Sequence, residues 1–202
     1  MIIFQILAIC GMLSPIVYTA MWIYCGSLQS EYSHIRDDIS SLFAVGAPNQ
    51  RLAKAFITIS SVLLLVFYLG LHGGINDGGG SITGPILLVF SSILGVLVAF
   101  FFPLDEGGEI KTYRGIMHII LVVASGILTI IGMIVLWLRL QFVVVWSVFA
   151  MFSLISAIIS AIFIIISAIF ATGKYRGIVE RFGVTPYQVY YFVLSLIVFL
   201  VN

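Results

Sequence analysis

The sequence predicts an all-α, polytopic integral membrane protein: a six-transmembrane-helix bundle forming a single domain over residues 1–202. Three observations carry this. The chain is 62% hydrophobic and 8% charged, against roughly 25% charged in a soluble domain, and its mean hydropathy is +1.24. Six apolar runs stand near the length that crosses a hydrocarbon core. Lys and Arg fall almost wholly into alternate connections between those runs.

The runs are Ile2–Tyr24, Phe56–His72, Pro85–Phe102, Gly115–Leu138, Phe142–Ala171 and Tyr187–Val201. No Lys or Arg precedes the first, so it reads as a permanent span rather than a cleaved signal. Pro15 should kink it, because proline removes a backbone donor and clashes with the preceding turn. Cys10 and Cys25, separated by about 22 Å of helix, are beyond disulfide reach. The fifth run would be about 45 Å long as a straight helix and must tilt or enter the headgroup layer. The sixth is short, and Pro186 suits its first turn.

Of the connections, residues 25–55 form the longest, and His72–Ser81 is glycine-rich and expected to be mobile. Leu104–Arg114 runs from acidic to basic, the fourth connection is a tight hairpin, and Thr172–Pro186 completes the set. Every Lys and Arg except Arg139 lies in the first, third or fifth connection. The positive-inside rule then places these three in the cytoplasm and both termini outside, as expected of a multi-pass protein of the cell membrane.

Ser91, Gly95 and Ala99, then Ser125, Thr129 and Gly132, then Ser153, Ser156 and Ser160 recur at the spacing that lets helix backbones approach. Packing within the bundle, homo-oligomerisation through such faces, and a polar permeation path near Ser156 and Thr129 are the alternatives. Spans three, five and six have no ionisable side chain in their interiors, which disfavours an ion-coupled carrier. The net charge of +1 gives no footprint for nucleic acid. The three histidines make no metal signature, no nucleophile-elbow or zinc-protease motif occurs, and no cofactor is specified.

Three polar groupings remain. In His34-Ile-Arg-Asp-Asp-Ile-Ser-Ser-Leu-Phe-Ala-Val-Gly46-Ala-Pro48, Ile39, Leu42 and Phe43 share a helical face, so an interfacial amphipathic segment is expected. Asp37 or Asp38 could cap it, and Arg36, Asp38 and Ser40 could line a headgroup pocket. In Phe101-Phe-Pro103-Leu-Asp105, followed by Arg114 and His118, Asp105 could approach His118. That pair would be either an acid/base couple or a structural hydrogen bond. In Gly177-Ile-Val-Glu180-Arg181-Phe-Gly183, Glu180 and Arg181 are expected to pair with charges of other loops. Basic residues here also suit anionic headgroups.

The order Pro15, Arg36-x-x-Ile-Ser-Ser-x-x-x-x-Gly46-Ala-Pro48, Phe102-Pro103-x-Asp105 with His118, then Gly177-Ile-x-Glu180-Arg181 resembles the prokaryotic membrane family called domain of unknown function 998. The likeness covers nearly the whole chain. The family's usual Ser-Asp-Leu-Gly reads Ser40-Ser41-Leu42 here, with its glycine four residues on. The chain is more loosely similar to eukaryotic six-span proteins of the Frag1/DRAM/Sfk1 type, which implies an association with membrane lipids. The expected activity is lipid interaction through a polar cleft at the cytoplasmic helix ends, involving Arg36, Asp38, Ser40, Arg114, Glu180 and Arg181. The alternatives are a lipid hydrolase or transferase using Asp105 and His118, with Ser40, Ser41 or Asp38 as a further group, and an uncoupled solute facilitator.

Overall fold

The structure, a computed structural model, describes every residue except Met1, Glu109 and Thr172. Among the described residues the chain is helical, with no strand, and six helices are long and apolar enough to cross a membrane. They are α1 (Ile2–Ser27), α2 (Gln50–Gly74), α3 (Thr83–Phe101), α4 (Tyr113–Leu140), α5 (Ser147–Phe170) and α6 (Arg176–Val201). Each packs on the next in sequence, and α6 packs on α1, so the bundle closes as an up-and-down ring. Both chain ends lie at one end of it, where Asn202 Nδ2 donates to the Gly74 carbonyl at 2.9 Å. The basic connections lie at the other, called here the basic end.

The outward faces are made of large apolar side chains. Leu69 is 68% exposed, Phe90 55% and Ile155 50%, a surface suited to lipid and costly in water. The small residues point the other way. Ser14 and Ser60 exchange hydroxyl-to-carbonyl bonds of 2.9 and 3.0 Å between α1 and α2. Ser91 and Ser125 do the same between α3 and α4, again at 2.9 and 3.0 Å. Ser153 donates to the Met133 carbonyl at 2.9 Å, tying α5 to α4. These hydroxyls act where helices of one chain meet, as expected for packing in a medium that supplies no hydrophobic drive.

The interior is uneven along its axis. Toward the chain ends it is filled by Tyr68, Leu71, Leu88, Met133, Leu136, Trp146, Tyr190 and Leu194, each at most 2% exposed. Toward the basic end it opens into a polar cavity, described below.

α2 begins at Gln50 rather than Phe56, and the long fifth run is a 24-residue helix preceded by a 3-10 turn at Val144–Trp146. Two further elements depart more sharply from the sequence-based expectation. α6 begins at Arg176, about ten residues before the expected start, and runs through Pro186. Its early turns carry glycines and charges that read as loop, but their polar groups are satisfied by the first connection rather than by water. The glycine-rich connection is pinned: Arg139 donates to the carbonyls of Gly79 at 2.9 Å and Ile75 at 3.0 Å. Positive φ at Asn76, Asp77, Gly78 and Gly80 turns those carbonyls toward the guanidinium's end of α4. Cys10 and Cys25 are free thiols.

Gly11 tests the tightness of the ring. A Cβ there would lie 2.1 Å from Ser195 Oγ and 2.6 Å from the Phe67 ring, so Gly11→Ala should cost about 1–3 kcal/mol. Gly95→Ala meets only Ser61 Oγ at 3.8 Å and should be neutral or stabilising by up to about 1 kcal/mol, since alanine is the better helix former. Thermal unfolding in detergent reads both, and equal midpoints for the two variants would contradict the packing described.

Candidate functional site

The first turns of α6 are a platform for the first connection. Gly177 has no side chain because the backbone of Asp37 lies on it: a Cβ would sit 2.4 Å from the Asp37 carbonyl oxygen. Ile178 N donates to the Ile35 carbonyl at 3.1 Å. Arg181 Nη1 donates to the carbonyls of His34 (2.7 Å), Asp37 (3.0 Å) and Gly177 (2.8 Å). Its Nη2 donates to the Tyr32 hydroxyl at 2.6 Å and to His34 Nδ1 at 3.0 Å. The guanidinium also lies over the Trp22 ring, 5.0 Å from its centroid, a favourable cation–π placement.

These bonds set protonation states. The guanidinium only donates, so His34 Nδ1 must be unprotonated, and burial followed by the Arg181 charge lowers the His34 pKa accordingly. Burial pushes the Tyr32 hydroxyl up to about 12, so it stays protonated and donates to the Asp38 carbonyl at 3.0 Å.

Glu180 holds the next residues. One carboxylate oxygen accepts from Ile39 N and the other from Ser40 Oγ at 3.0 Å. It thereby satisfies the start of a 3-10 turn, Ser40–Phe43, that has no cap from its own neighbours. Neither Asp37 nor Asp38 caps this turn. Its apolar residues do not lie in an interfacial plane either: Ile39 and Leu42 are fully buried and Phe43 nearly so, inserted against Met21, Cys25 and Ala53. The expectation that Glu180 and Arg181 pair with charges of other loops is corrected in the same way, since both bind mainly backbone and hydroxyl groups of the first connection.

Asp105 is committed to the start of α4. It accepts from Thr112 Oγ1 at 2.7 Å, Thr112 N at 2.7 Å, Arg114 at 2.9 Å and Lys111 N at 2.9 Å. The Thr112 bonds foremost, with Arg114 and Lys111 adding to them, hold its carboxyl well below the usual carboxylate range. His118 is buried, and its Nδ1 lies 2.7 Å from the Phe102 carbonyl. A carbonyl only accepts, so Nδ1 carries the proton and Nε2 is left as an acceptor. The expected Asp105–His118 couple is not formed among the described bonds; each group is spent on fixing the turn between α3 and α4.

Two cavities meet beside His118. The inner one, about 190 Å³, is walled by Tyr18, Ser14, Ser60, Ser61, Ser91, Ser92, Ser125, Gln188 and Tyr191. The outer one, about 460 Å³, lies between α4 and α6 at the end of α5. One wall is apolar, with Ile110, Ile119, Val122 and Ala171 all exposed on the bundle surface; the other carries Asp38, Arg176, Glu180 and His118. Ser40, His118, Val122 and Glu180 belong to both.

Of the residues singled out in the sequence, Asp38, Ser40, His118 and Glu180 therefore converge. Arg36 does not: it is exposed, forks onto Asp37 at 2.8 and 2.9 Å, and lines a solvent-facing hollow that also contains Ser41 and meets the outer cavity at Arg176. Arg114 and Arg181 are structural ties. Arg176, absent from the expected set, joins the outer cavity 3.7 Å from Asp38 Oδ1. It stands four residues before Glu180, hence on the same helical face, a relation hidden while 176–186 reads as loop.

Fold and site together define a six-helix membrane protein whose basic end is closed by an inserted loop over a polar, partly hollow interior. The profile of the family described as Protein of unknown function (DUF998) matches residues 12–197, and the chain belongs to that family. Of the motifs that carry the resemblance, all but Pro15, which lies midway along α1, meet at the basic end. No curated protein and no solved structure matches the chain.

Arg181→Lys keeps the charge but loses the fork and should loosen the loop. Amide exchange over residues 30–45 should quicken about tenfold, the scale of one lost charged hydrogen bond, while exchange in α3 stays unchanged. Because the folded His34 pKa is depressed, its contribution is full above the unfolded value near 6.5 and is lost as pH falls below it. Loop exchange in the native chain, normalised to the intrinsic base-catalysed rate at each pH, should therefore rise between pH 7 and 5, and His34→Gln should flatten that rise. A normalised wild-type rate that does not change with pH would refute this role for His34.

Proposed function

We propose that this chain is a lipid-interacting protein of the cell membrane that takes a lipid headgroup into the cleft at its basic end. The observation carrying this is the outer cavity of about 460 Å³, whose apolar wall is continuous with the lipid-facing surface and whose opposite wall is charged. Acyl chains would lie along Ile119 and Val122 while the headgroup meets Asp38, Arg176, Glu180 and Ser40. Ligand sites of this kind combine an apolar body with a few fixed polar groups. The facilitator alternative needs a continuous polar path, and the tight core around Tyr68, Trp146 and Tyr190 counts against it. The hydrolase alternative lacks its acid/base couple.

Native mass spectrometry of the purified protein tests the cleft. Wild type should retain bound phospholipid, and Val122→Trp, which fills the cavity from its apolar side, should reduce retention at least fivefold without changing the unfolding midpoint. Undiminished lipid in that variant would remove the cleft as the site.

We further propose that the basic end is cytoplasmic, supported by the one-sided distribution of Lys and Arg. In a background lacking Cys10 and Cys25, Ser30→Cys should resist a membrane-impermeant thiol reagent in intact cells and Ser81→Cys should react. The reverse pattern would invert the orientation.

A further inference from the structure

We infer that the headgroup selected by this cleft is zwitterionic, its phosphate meeting Arg176 and a primary ammonium meeting Asp38 and Glu180. The inference rests on the lipid-cleft proposal above and adds the class of lipid.

The signs of the lining charges are the first support. Two carboxylates and one guanidinium line the outer cavity, with no Lys among its described lining residues. Three other guanidiniums at this end are occupied: Arg181 by carbonyls, Arg114 by Asp105 and Arg36 by Asp37. The buried His118 ring is fixed in place by its Nδ1 bond to the Phe102 carbonyl. A zwitterion can offer its ammonium to the carboxylates and its phosphate to Arg176, whereas an anionic headgroup would set its charge against two carboxylates with one cation.

Asp38 is the second support. Its carboxylate accepts no hydrogen bond from the described residues. Oδ1 is buried, and Arg176 stands at 3.7 Å, an ion pair beyond hydrogen-bonding reach. A carboxylate left this way in a partly closed pocket is an open acceptor. Glu180, by contrast, already accepts two bonds, yet each of its oxygens has a second lone pair.

The third support decides the kind of ammonium. Quaternary ammonium is recognised by aromatic faces, and no Phe, Tyr or Trp is among the described residues lining the outer cavity. Primary ammonium needs acceptors, which Asp38, Glu180, His118 Nε2 and Ser40 provide. The same chemistry occurs in free phosphoethanolamine, but the apolar wall at Ile119 and Val122 has no function for a soluble ligand.

The full chain in mixed micelles, supplied with equimolar phosphatidylethanolamine, phosphatidylcholine and phosphatidylglycerol, tests this by native mass spectrometry. Phosphatidylethanolamine should be retained over both others, Asp38→Asn should reduce that preference about tenfold, and Arg176→Gln should weaken all three alike. Millimolar phosphoethanolamine should displace little of the lipid. Equal retention, or preference for phosphatidylglycerol or phosphatidylcholine, would overturn the headgroup class while leaving the cleft in place. Efficient displacement by phosphoethanolamine would overturn the lipid as its source. Absence of any retained lipid, with Val122→Trp indistinguishable from wild type, would overturn the cleft and this inference together. Should Asp38→Asn fail to fold, the wild-type ranking still decides.

Discussion

The backbone of an irregular segment cannot be left unpaired where water is scarce, and in this bundle two adjacent side chains of α6 meet that need. Arg181 supplies donors to the carbonyls of His34 and Asp37, and Glu180 supplies acceptors to Ile39 N and Ser40 Oγ. Between them they fix residues 34–40 against the bare backbone of Gly177. Non-helical chain at the mouth of a membrane bundle is tolerated only when protein groups take over from water. Once the loop is held there, Ile39, Leu42 and Phe43 can be driven inward, and the basic end acquires a lid of its own sequence.

The rest of the site follows from that lid. The loop brings Asp38 and Ser40 over α4 and α6, where His118, Arg176 and Glu180 already stand. Asp105 and His118 serve the same architecture from the other side, by fixing the turn from α3 into α4 through the Thr112 and Phe102 bonds. What is left unspent is informative. Of the charged groups lining the outer cavity, Glu180 is consumed in holding the loop, whereas Asp38 and Arg176 only approach one another. A pair held apart at the border of an apolar wall is where a ligand carrying both charges would gain most.

The bundle divides its two halves between stability and binding. Toward the chain ends, aromatic and aliphatic side chains close the interior, and Arg139 ties the glycine-rich connection to α4. Toward the basic end, reciprocal serine bonds keep α1 on α2 and α3 on α4 while leaving hydroxyls along the inner cavity. Hydroxyls satisfied by a neighbouring helix carbonyl cost little in lipid and still keep a lone pair free to accept.

The sequence by itself determined that the chain is a bundle of six membrane helices, where α1, α3 and α4 begin and end to within about three residues, and which end gathers the charges. Those properties follow from apolar run length and from Lys and Arg placement, both local quantities. It also named Asp38, Ser40, His118 and Glu180, because charged and hydroxyl groups beside long apolar runs are conspicuous. Only the tertiary structure decided how they are used. The start of α6 was hidden because glycines, charges and Pro186 look like loop unless another segment satisfies them. The supposed amphipathic helix became an inserted turn because its caps come from Glu180, some 140 positions away. Asp105 and His118 look like a couple along the chain, yet each has nearer backbone partners in space. Arg176 was not singled out, because its role exists only once the helix and the loop are in contact. Hydrogen bonds between distant segments leave no periodicity in a sequence, and at this end of the bundle they outweigh every local preference.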